Sequence, residues 1–208
     1  MTKIIATSDT HGLHRDLDVP DGDIFLYAGD FSMLGELKIL ADFNEWLGQL
    51  PHKHKIMIAG NHDRCFENKN KDVARKLLTN ATYLENTGCE VDGINIWGSP
   101  ITSTLSFWAF AYTEESERYK VWDQMPENLD ILLTHTPPNG ILDNTVSDEN
   151  VGDRLLNSYI AKNKPKYNIF GHIHESYGYK EGNFTKFYNV AAVNEVYLLQ
   201  NPPVVINI

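Results

Sequence analysis

Cysteine is scarce: only Cys65 and Cys89 occur, and they lack CxxC spacing. That excludes a disulfide scaffold and a thiolate-rich zinc knot, and it fits reduced thiols in a cytoplasmic protein. Cations are also in short supply, with 18 Lys and Arg against 28 Asp and Glu and a formal charge of −10. Tight binding to duplex nucleic acid or to an anionic membrane needs a basic face, so neither is an expected partner. A small anionic substrate stays open, because bound divalent cations reverse the local field. No apolar run approaches the ~20 residues that cross a bilayer, and Met1-Thr2-Lys3 leads straight into Ile4-Ile5-Ala6 with no signal-peptide core before it. Repeats, low-complexity segments and composition shifts are absent as well. At 208 residues, 42% apolar and 22% charged, the chain reads as one soluble domain over 1–208.

What is present is a series of short β-like runs, each ending in a polar, metal-capable residue. Lys3 to Ser8 delivers Asp9 and His11, whose i, i+2 spacing can turn both toward one ion. Asp23 to Ala28 ends at Gly29-Asp30, and Lys55 to Ala59 ends at Gly60-Asn61-His62-Asp63. Asp130 to Thr134 stops at His135, before Pro137-Pro138, and Tyr167 to Phe170 stops at Gly171-His172-Ile173-His174. Polar groups at the ends of buried strands project from a rigid edge into a cleft.

Helical spacing of Leu37, Leu40, Phe43, Leu47 and Leu50 predicts a helix over 35–50 that Pro51 ends. Further helices are expected over 72–80, from Glu114 onward, and over 151–161. Thr82–Leu84 and Glu90–Gly98 suggest a hairpin about Asp92-Gly93. The tail, 177–180, 184–190, 196–199 and 204–208, reads as antiparallel strands. Strands alternating with helices indicate an α/β fold. The rings of Phe107, Trp108, Phe110, Tyr112, Tyr119 and Trp122 are expected mainly in packing, with some free to contact substrate.

Of eight histidines, His11, His62, His135, His172 and His174 fall at strand ends, while His14, His52 and His54 lie in polar segments. One such histidine is ordinarily structural. Five of them, with two carboxylates and an amide, indicate a metal site of nitrogen and oxygen donors, suited to Mn, Fe, Zn or Co. Two ions about 3.5–4 Å apart would clamp a bridging water, lower its pKa and neutralise phosphoryl oxygens during in-line displacement.

The ordered set Asp9-Thr10-His11, Gly29-Asp30, Gly60-Asn61-His62-Asp63, His135 and Gly171-His172-Ile173-His174 resembles the calcineurin-like metallophosphoesterase superfamily over most of the chain. Gly98-Ser99-Pro100, Trp108-Ala109-Phe110 and His174-Glu175-Ser176-Tyr177-Gly178 extend the likeness to small metallophosphoesterase-domain proteins, which are related to class III cyclic nucleotide phosphodiesterases. The resemblance implies a four-layer α-β-β-α sandwich of two mixed sheets flanked by helices. It implies two divalent ions, manganese first, with iron, zinc or cobalt as alternatives. Asp9, His11 and His174 would hold one ion and Asn61, His135 and His172 the other, with Asp30 bridging. His62 would donate a proton and Asp63 would orient its ring. Mammalian members can carry glycine at the position of His172, where this chain keeps the imidazole.

Asp30 is followed by Phe31-Ser32-Met33-Leu34-Gly35, without the second Asp and the Arg of the superfamily's protein phosphatases. A phosphoprotein phosphatase is therefore disfavoured, and Arg64 is the candidate substrate-binding cation. The function implied is a metal-dependent hydrolase of phosphodiesters, with small phosphoesters and nucleotides, cyclic ones included, as substrates. A phosphomonoesterase is the first alternative, and a non-catalytic protein-binding module on the same scaffold the second. Oligomeric state is not legible.

Overall fold

The computed structural model describes residues 1–103 and 107–208. In chain order the elements are β1 (Lys3–Thr7), β2 (Ile24–Ala28), α1 (Leu37–Gln49), β3 (His54–Ile58), α2 (Lys71–Leu77), β4 (Thr82–Tyr83), β5 (Thr87–Val91) and β6 (Ile94–Ser99). They continue with α3 (Glu115–Trp122), β7 (Ile131–Thr134), α4 (Arg154–Asn163), β8 (Tyr167–Phe170), β9 (Gly178–Glu181), β10 (Lys186–Asn189) and β11 (Val204–Asn207).

Two mixed sheets result. The first has the order β11-β1-β2-β3-β4 and the second β5-β6-β7-β8-β10-β9. Within the first, β1 to β4 run parallel and β11 closes the edge antiparallel to β1. Within the second, β6, β7, β8 and β10 run parallel, and β5 and β9 are antiparallel edges.

Side-chain alternation along the strands explains why the sheets stack. Ile4 and Ala6 of β1, Ile24 and Leu26 of β2, and Ile56 and Ile58 of β3 point to one face, where they meet Ile96, Ile131, Leu133 and Ile169 of the second sheet. The intervening residues Ile5, Phe25, Tyr27 and Met57 point the other way, onto Leu40, Phe43, Trp46 and Leu47 of α1. On the outer face of the second sheet Trp97, Leu132, Phe170 and Phe187 pack against Trp122 of α3 and Leu156, Tyr159 and Ile160 of α4. The layers are thus helix, sheet, sheet, helix, as the resemblance implied. Strands buried on both faces need near-continuous apolar runs, and β2 (IFLYA, fully buried) and β7 (ILLT, fully buried) have them.

Three sequence expectations are corrected. Thr82–Tyr83 does not join the hairpin; it pairs parallel with β3 in the first sheet, and the hairpin is β5 with β6 about Asp92-Gly93. Val196–Leu199 is not a strand. It lies in a turn, because the Asn194 side chain accepts from the amides of Val196 (3.1 Å) and Leu198 (3.0 Å) and closes the backbone on itself. The tail is also not wholly antiparallel, since β10 runs parallel to β8. Among the described residues no helix is long and apolar enough to cross a membrane.

Candidate metal centre

The C-terminal ends of β1, β2 and β3 in one sheet and of β7 and β8 in the other open onto the same edge. Ser8 stitches the two sheets there: its amide donates to Val190 O (3.0 Å) and its carbonyl accepts from Ala192 N (2.9 Å). The loops beyond these strands carry Asp9, His11, Asp30, Asn61, His62, Asp63, His135, His172 and His174. Of these, Asp9, Asp30, Asp63 and His135 are almost entirely shielded from solvent.

Getting these side chains inward requires unusual backbone. Asp9 (φ 52°), His11 (46°), Asp30 (59°) and His172 (71°) all sit in the left-handed region, which costs non-glycine residues of order 1–3 kcal/mol each and gathers at functional sites. Close approach of the chain also demands glycine. A Cβ on Gly60 would overlap Asp30 Oδ1 and lie 2.6 Å from His135 Cε1, and one on Gly171 would overlap Asp9 Oδ2.

Donor atoms converge in three groups whose members lie within 4.8 Å of one another: Asp9, His11 and His174; His11, Asp30 and His62; and Asp30, His135 and His172. Asp30 belongs to two of them. His135 Nε2 stands 3.2 Å from Asp30 Oδ2 and 2.9 Å from Asn61 Oδ1. His174 Nε2 stands 3.4 Å from Asp9 Oδ1. The His172 amide donates to both Asp9 oxygens, at 3.1 and 3.2 Å.

The hydrogen-bond pattern tests whether cations fit. The Nδ1 atoms of His11, His135 and His174 face the carbonyls of Ser32 (3.1 Å), Ala28 (2.8 Å) and Asn194 (3.2 Å). Carbonyls only accept, so each Nδ1 carries the hydrogen and each neutral ring presents an Nε2 lone pair to the centre. His11 Nε2 and His174 Nε2 are then two electron-pair donors 3.3 Å apart. Two nitrogens bound to one ion at about 2.1 Å stand about 3.0–3.4 Å apart at ordinary ligand angles. His135 Nε2 likewise confronts oxygen acceptors. The residues fit divalent cations of the nitrogen- and oxygen-preferring kind.

Burial disfavours charge on His135, but the Asp30 and Asp9 carboxylates outweigh it and hold the imidazole pKa up at about 9. Burial would likewise raise Asp30, yet His135, His11 and His62 keep it far below the usual carboxylate range. His172 is pushed down to about 3 by burial and by His135. His11 is lowered chiefly by burial. His174 is raised against its burial by Asp9.

Asp63 does not orient the His62 ring. Its carboxylate accepts from the amides of Asp30 (2.8 Å), Gly60 (2.9 Å) and Ser32 (3.1 Å) and from Ser32 Oγ (2.8 Å). The His62 ring is held instead by Met33 O, 2.7 Å from Nδ1. A buried aspartate one residue beyond the ring finds loop amides closer than the imidazole, so it fixes the backbone that carries Asp30. Burial and the Asp30 charge push its pKa up to about 8, while the amide and hydroxyl donors oppose that rise.

Arg64 does not line the cavity over the centre. Its Nη2 donates to Phe107 O (3.0 Å) and its guanidinium rests 5.0 Å from the Trp108 ring centroid. That cavity, about 360 Å³, is lined by Asp30, Asn61, His62, His172 and His174, with Trp108 and Tyr197 among its other walls. Tyr197 escaped the sequence reading, because its segment looked like a strand. Only the structure reveals it, with Val196, Tyr197 and Leu198 left exposed (61%, 40% and 62%). The aromatic segment divides: Trp122 and Phe110 are buried in packing, Phe107 is exposed, and Trp108 reaches the site.

The family model described as calcineurin-like phosphoesterase matches residues 2–176. The UPF0046 protein K07C11.7 of Caenorhabditis elegans is 35% identical over 216 residues, spanning 98% of this chain and 74% of that protein. Metallophosphoesterase domain-containing protein 1 of Homo sapiens is 35% identical over 231 residues, spanning 100% of this chain and 71% of that protein. Among solved structures, TT1561 of Thermus thermophilus superposes with a TM-score of 0.61 at 15% identity, over 90% of this chain and 88% of that one. GAP50 of Plasmodium, described as the anchor in the inner membrane complex, has a TM-score of 0.54 at 12% identity, over 92% of this chain and 71% of that one. These two likenesses concern the fold alone.

Proposed function

The chain belongs to the calcineurin-like phosphoesterase family, and we propose that it is a dinuclear metal-dependent hydrolase of phosphodiesters, nucleotides and cyclic nucleotides included, working in the cytoplasm. The observation that carries this reading is the facing of His11 Nε2 and His174 Nε2 across 3.3 Å, with the group of His11, Asp30 and His62 linking that pair to the second group of Asp30, His135 and His172. Asp9, His11 and His174 would hold one ion and Asn61, His135 and His172 the other, with Asp30 between them. Manganese heads the candidates on the family resemblance; imidazole, carboxylate and amide donors with no thiolate suit iron, zinc and cobalt as well. When bound, the ions would supply a water of lowered pKa and positive charge for the phosphoryl oxygens.

The remaining work falls to the chain's own residues. The backbone carbonyls of Ser32, Ala28 and Asn194 fix the rings of His11, His135 and His174 in the tautomer that offers Nε2. Met33 O holds the Nδ1–H of His62, which turns Nε2 toward the cavity, where the doubly protonated ring would give a proton to the leaving oxygen. His62 N donates to Asp30 Oδ1 (2.8 Å), which couples the position of that ring to the shared carboxylate. Free cysteines suit a reducing compartment: Cys65 is buried, and burial together with the Asp63 charge pushes its thiol up to about 12, so it stays protonated and inert.

The test is hydrolysis of bis-p-nitrophenyl phosphate beside p-nitrophenyl phosphate. Metal-stripped protein is expected to be inert and manganese to restore turnover, with the diester preferred and both Asn61→Ala and His135→Ala inactive. A faster monoester reaction would favour the phosphomonoesterase reading. Full metal loading without turnover on either substrate would favour a binding module.

A further inference from the structure

The cavity over the metal centre is chemically lopsided. Beyond the candidate ligands and His62 its walls are Trp108, Val146 and Tyr197 together with two carboxylates, Glu175 and Glu195, and among the described residues no lysine or arginine lines it. Arg64, the nearby cation in sequence, is committed to Phe107 O and to the Trp108 face. Glu175 is held in place by the Val146 amide, 2.9 Å from Oε1.

Tyr197 is built into this wall. Its backbone is left-handed (φ 61°), and its amide donates to Asn194 O at 2.9 Å. That same carbonyl faces Nδ1 of His174 at 3.2 Å, so the loop is tied to a candidate ligand. The Tyr197 ring meets His11 and His174 edge-on, at centroid distances of 4.9 and 5.2 Å, and Trp108 lies 4.2 Å from the His62 ring. A bulky residue kept in a costly conformation with its ring at the mouth of a cavity indicates a contact surface.

We propose that Trp108, Val146 and Tyr197 receive a flat, uncharged organic group attached to the reacting phosphorus, and that Glu175 and Glu195 exclude substrates bearing a second negative charge away from it. The ions and imidazoles attract one phosphoryl group. Any further anionic group would have to lie along the walls, where the described residues offer no cation and two carboxylates repel it. Nucleosides and aryl groups meet the requirement; polyphosphates and carboxylated esters do not. This rests on the phosphoesterase reading for the position of the phosphoryl group.

Three non-hydrolysable ligands test it on the manganese-loaded full chain by calorimetric titration: methylphosphonate, phenylphosphonate and 4-carboxyphenylphosphonate. Phenylphosphonate should bind at least fivefold more tightly than methylphosphonate and about tenfold more tightly than its carboxylated analogue, the size expected for two partly screened carboxylates. Glu195→Gln should narrow the second gap, and Glu175→Gln with Glu195→Gln should bring it below about threefold, chiefly by tightening the carboxylated ligand. Tyr197→Ala should reduce phenylphosphonate to the level of methylphosphonate. Equal binding of the two aryl ligands by the unmodified protein, a gap that survives in the double variant, or no binding of any phosphonate would each overturn the subsite. The expected order of affinities without hydrolysis of any phosphoester would leave the subsite standing and remove the reaction. Hydrolysis without the order would do the reverse.

Discussion

His11 Nε2 and His174 Nε2 lie 3.3 Å apart although 163 residues separate them in the chain. Each ring has its Nδ1 on a carbonyl, so when both imidazoles are neutral two lone pairs oppose one another. Such a pair is stable when a cation lies within reach of both. A protein that binds ions in this way should be stabilised by them through mass action.

Thermal melts give the corresponding measurement. Manganese at a hundredfold excess over its dissociation constant should add about 2.7 kcal/mol to the unfolding free energy, and a chelator should remove it. His11→Ala should lose most of this metal-dependent shift while its metal-free melt changes little. A melting temperature indifferent to both metal and chelator in the unmodified protein would count against the centre.

Asp63 is a backbone clamp, and its replacement should act on stability. Asp63→Ala strands the amides of Asp30, Gly60 and Ser32 and the Ser32 hydroxyl without an acceptor. The expected loss in urea unfolding is about 3–5 kcal/mol. Asp63→Asn keeps one acceptor oxygen and should lose roughly half as much. Were Asp63→Ala to leave stability intact and lower only kcat, the carboxylate would be acting on His62 after all.

His62→Ala should lower kcat by about 10²–10⁴ with KM little changed, since its proton is needed in the transition state rather than for binding. The loss should be greater for an alkyl leaving group than for nitrophenolate, which departs without a proton. Equal losses for both would assign His62 to binding instead.

Gly60→Ala should abolish metal-dependent activity, because the added methyl overlaps Asp30 Oδ1 and crowds His135. Elemental analysis of the purified variant should show fewer than the two ions expected for the parent protein. Full occupancy would mean that the loop yields more easily than its contacts suggest.

His14 provides a pH dependence outside the centre. The ring is buried against Phe43 and Trp46, with Nε2 on Asp42 Oδ2 at 2.9 Å. Burial lowers its pKa below 6.5, and the Asp42 carboxylate only partly offsets that. Below pH 6.5 the unfolded chain therefore takes up a proton that the folded chain resists, and stability falls as pH falls from 6.5 toward the folded value. The slope from this group cannot exceed about 1.4 kcal/mol per pH unit. Urea unfolding at pH 7.5 and 5.5 should show a smaller drop for His14→Phe than for the parent.

Much of this was legible in residue patterns. The apolar runs of β1, β2, β3 and β7 announced buried strands, the spacing of Leu40, Phe43 and Leu47 announced a helix packed on them, and the four-layer arrangement followed from the family resemblance. Strand ends bearing Asp9, Asp30, Asn61, His135 and His174 named the donor chemistry. Those signals are local: each needs only a few neighbouring residues and the two-residue or 3.6-residue period of the backbone.

The rest depended on pairings between distant segments. Local pattern cannot say that Thr82–Tyr83 extends the first sheet, that Asp63 turns to the amides of Asp30 and Ser32, or that Arg64 binds Phe107. Nor does it reveal that the Val196-Tyr197-Leu198 run is a turn placing a ring over His11 and His174. By itself, then, the sequence determined the layered α/β fold and the kinds of donor atom at its strand ends. Only the tertiary structure decided which side chains meet and what walls the cavity above them, because partner choice for a buried polar group is settled by which donors and acceptors the packed sheets bring within about 3 Å.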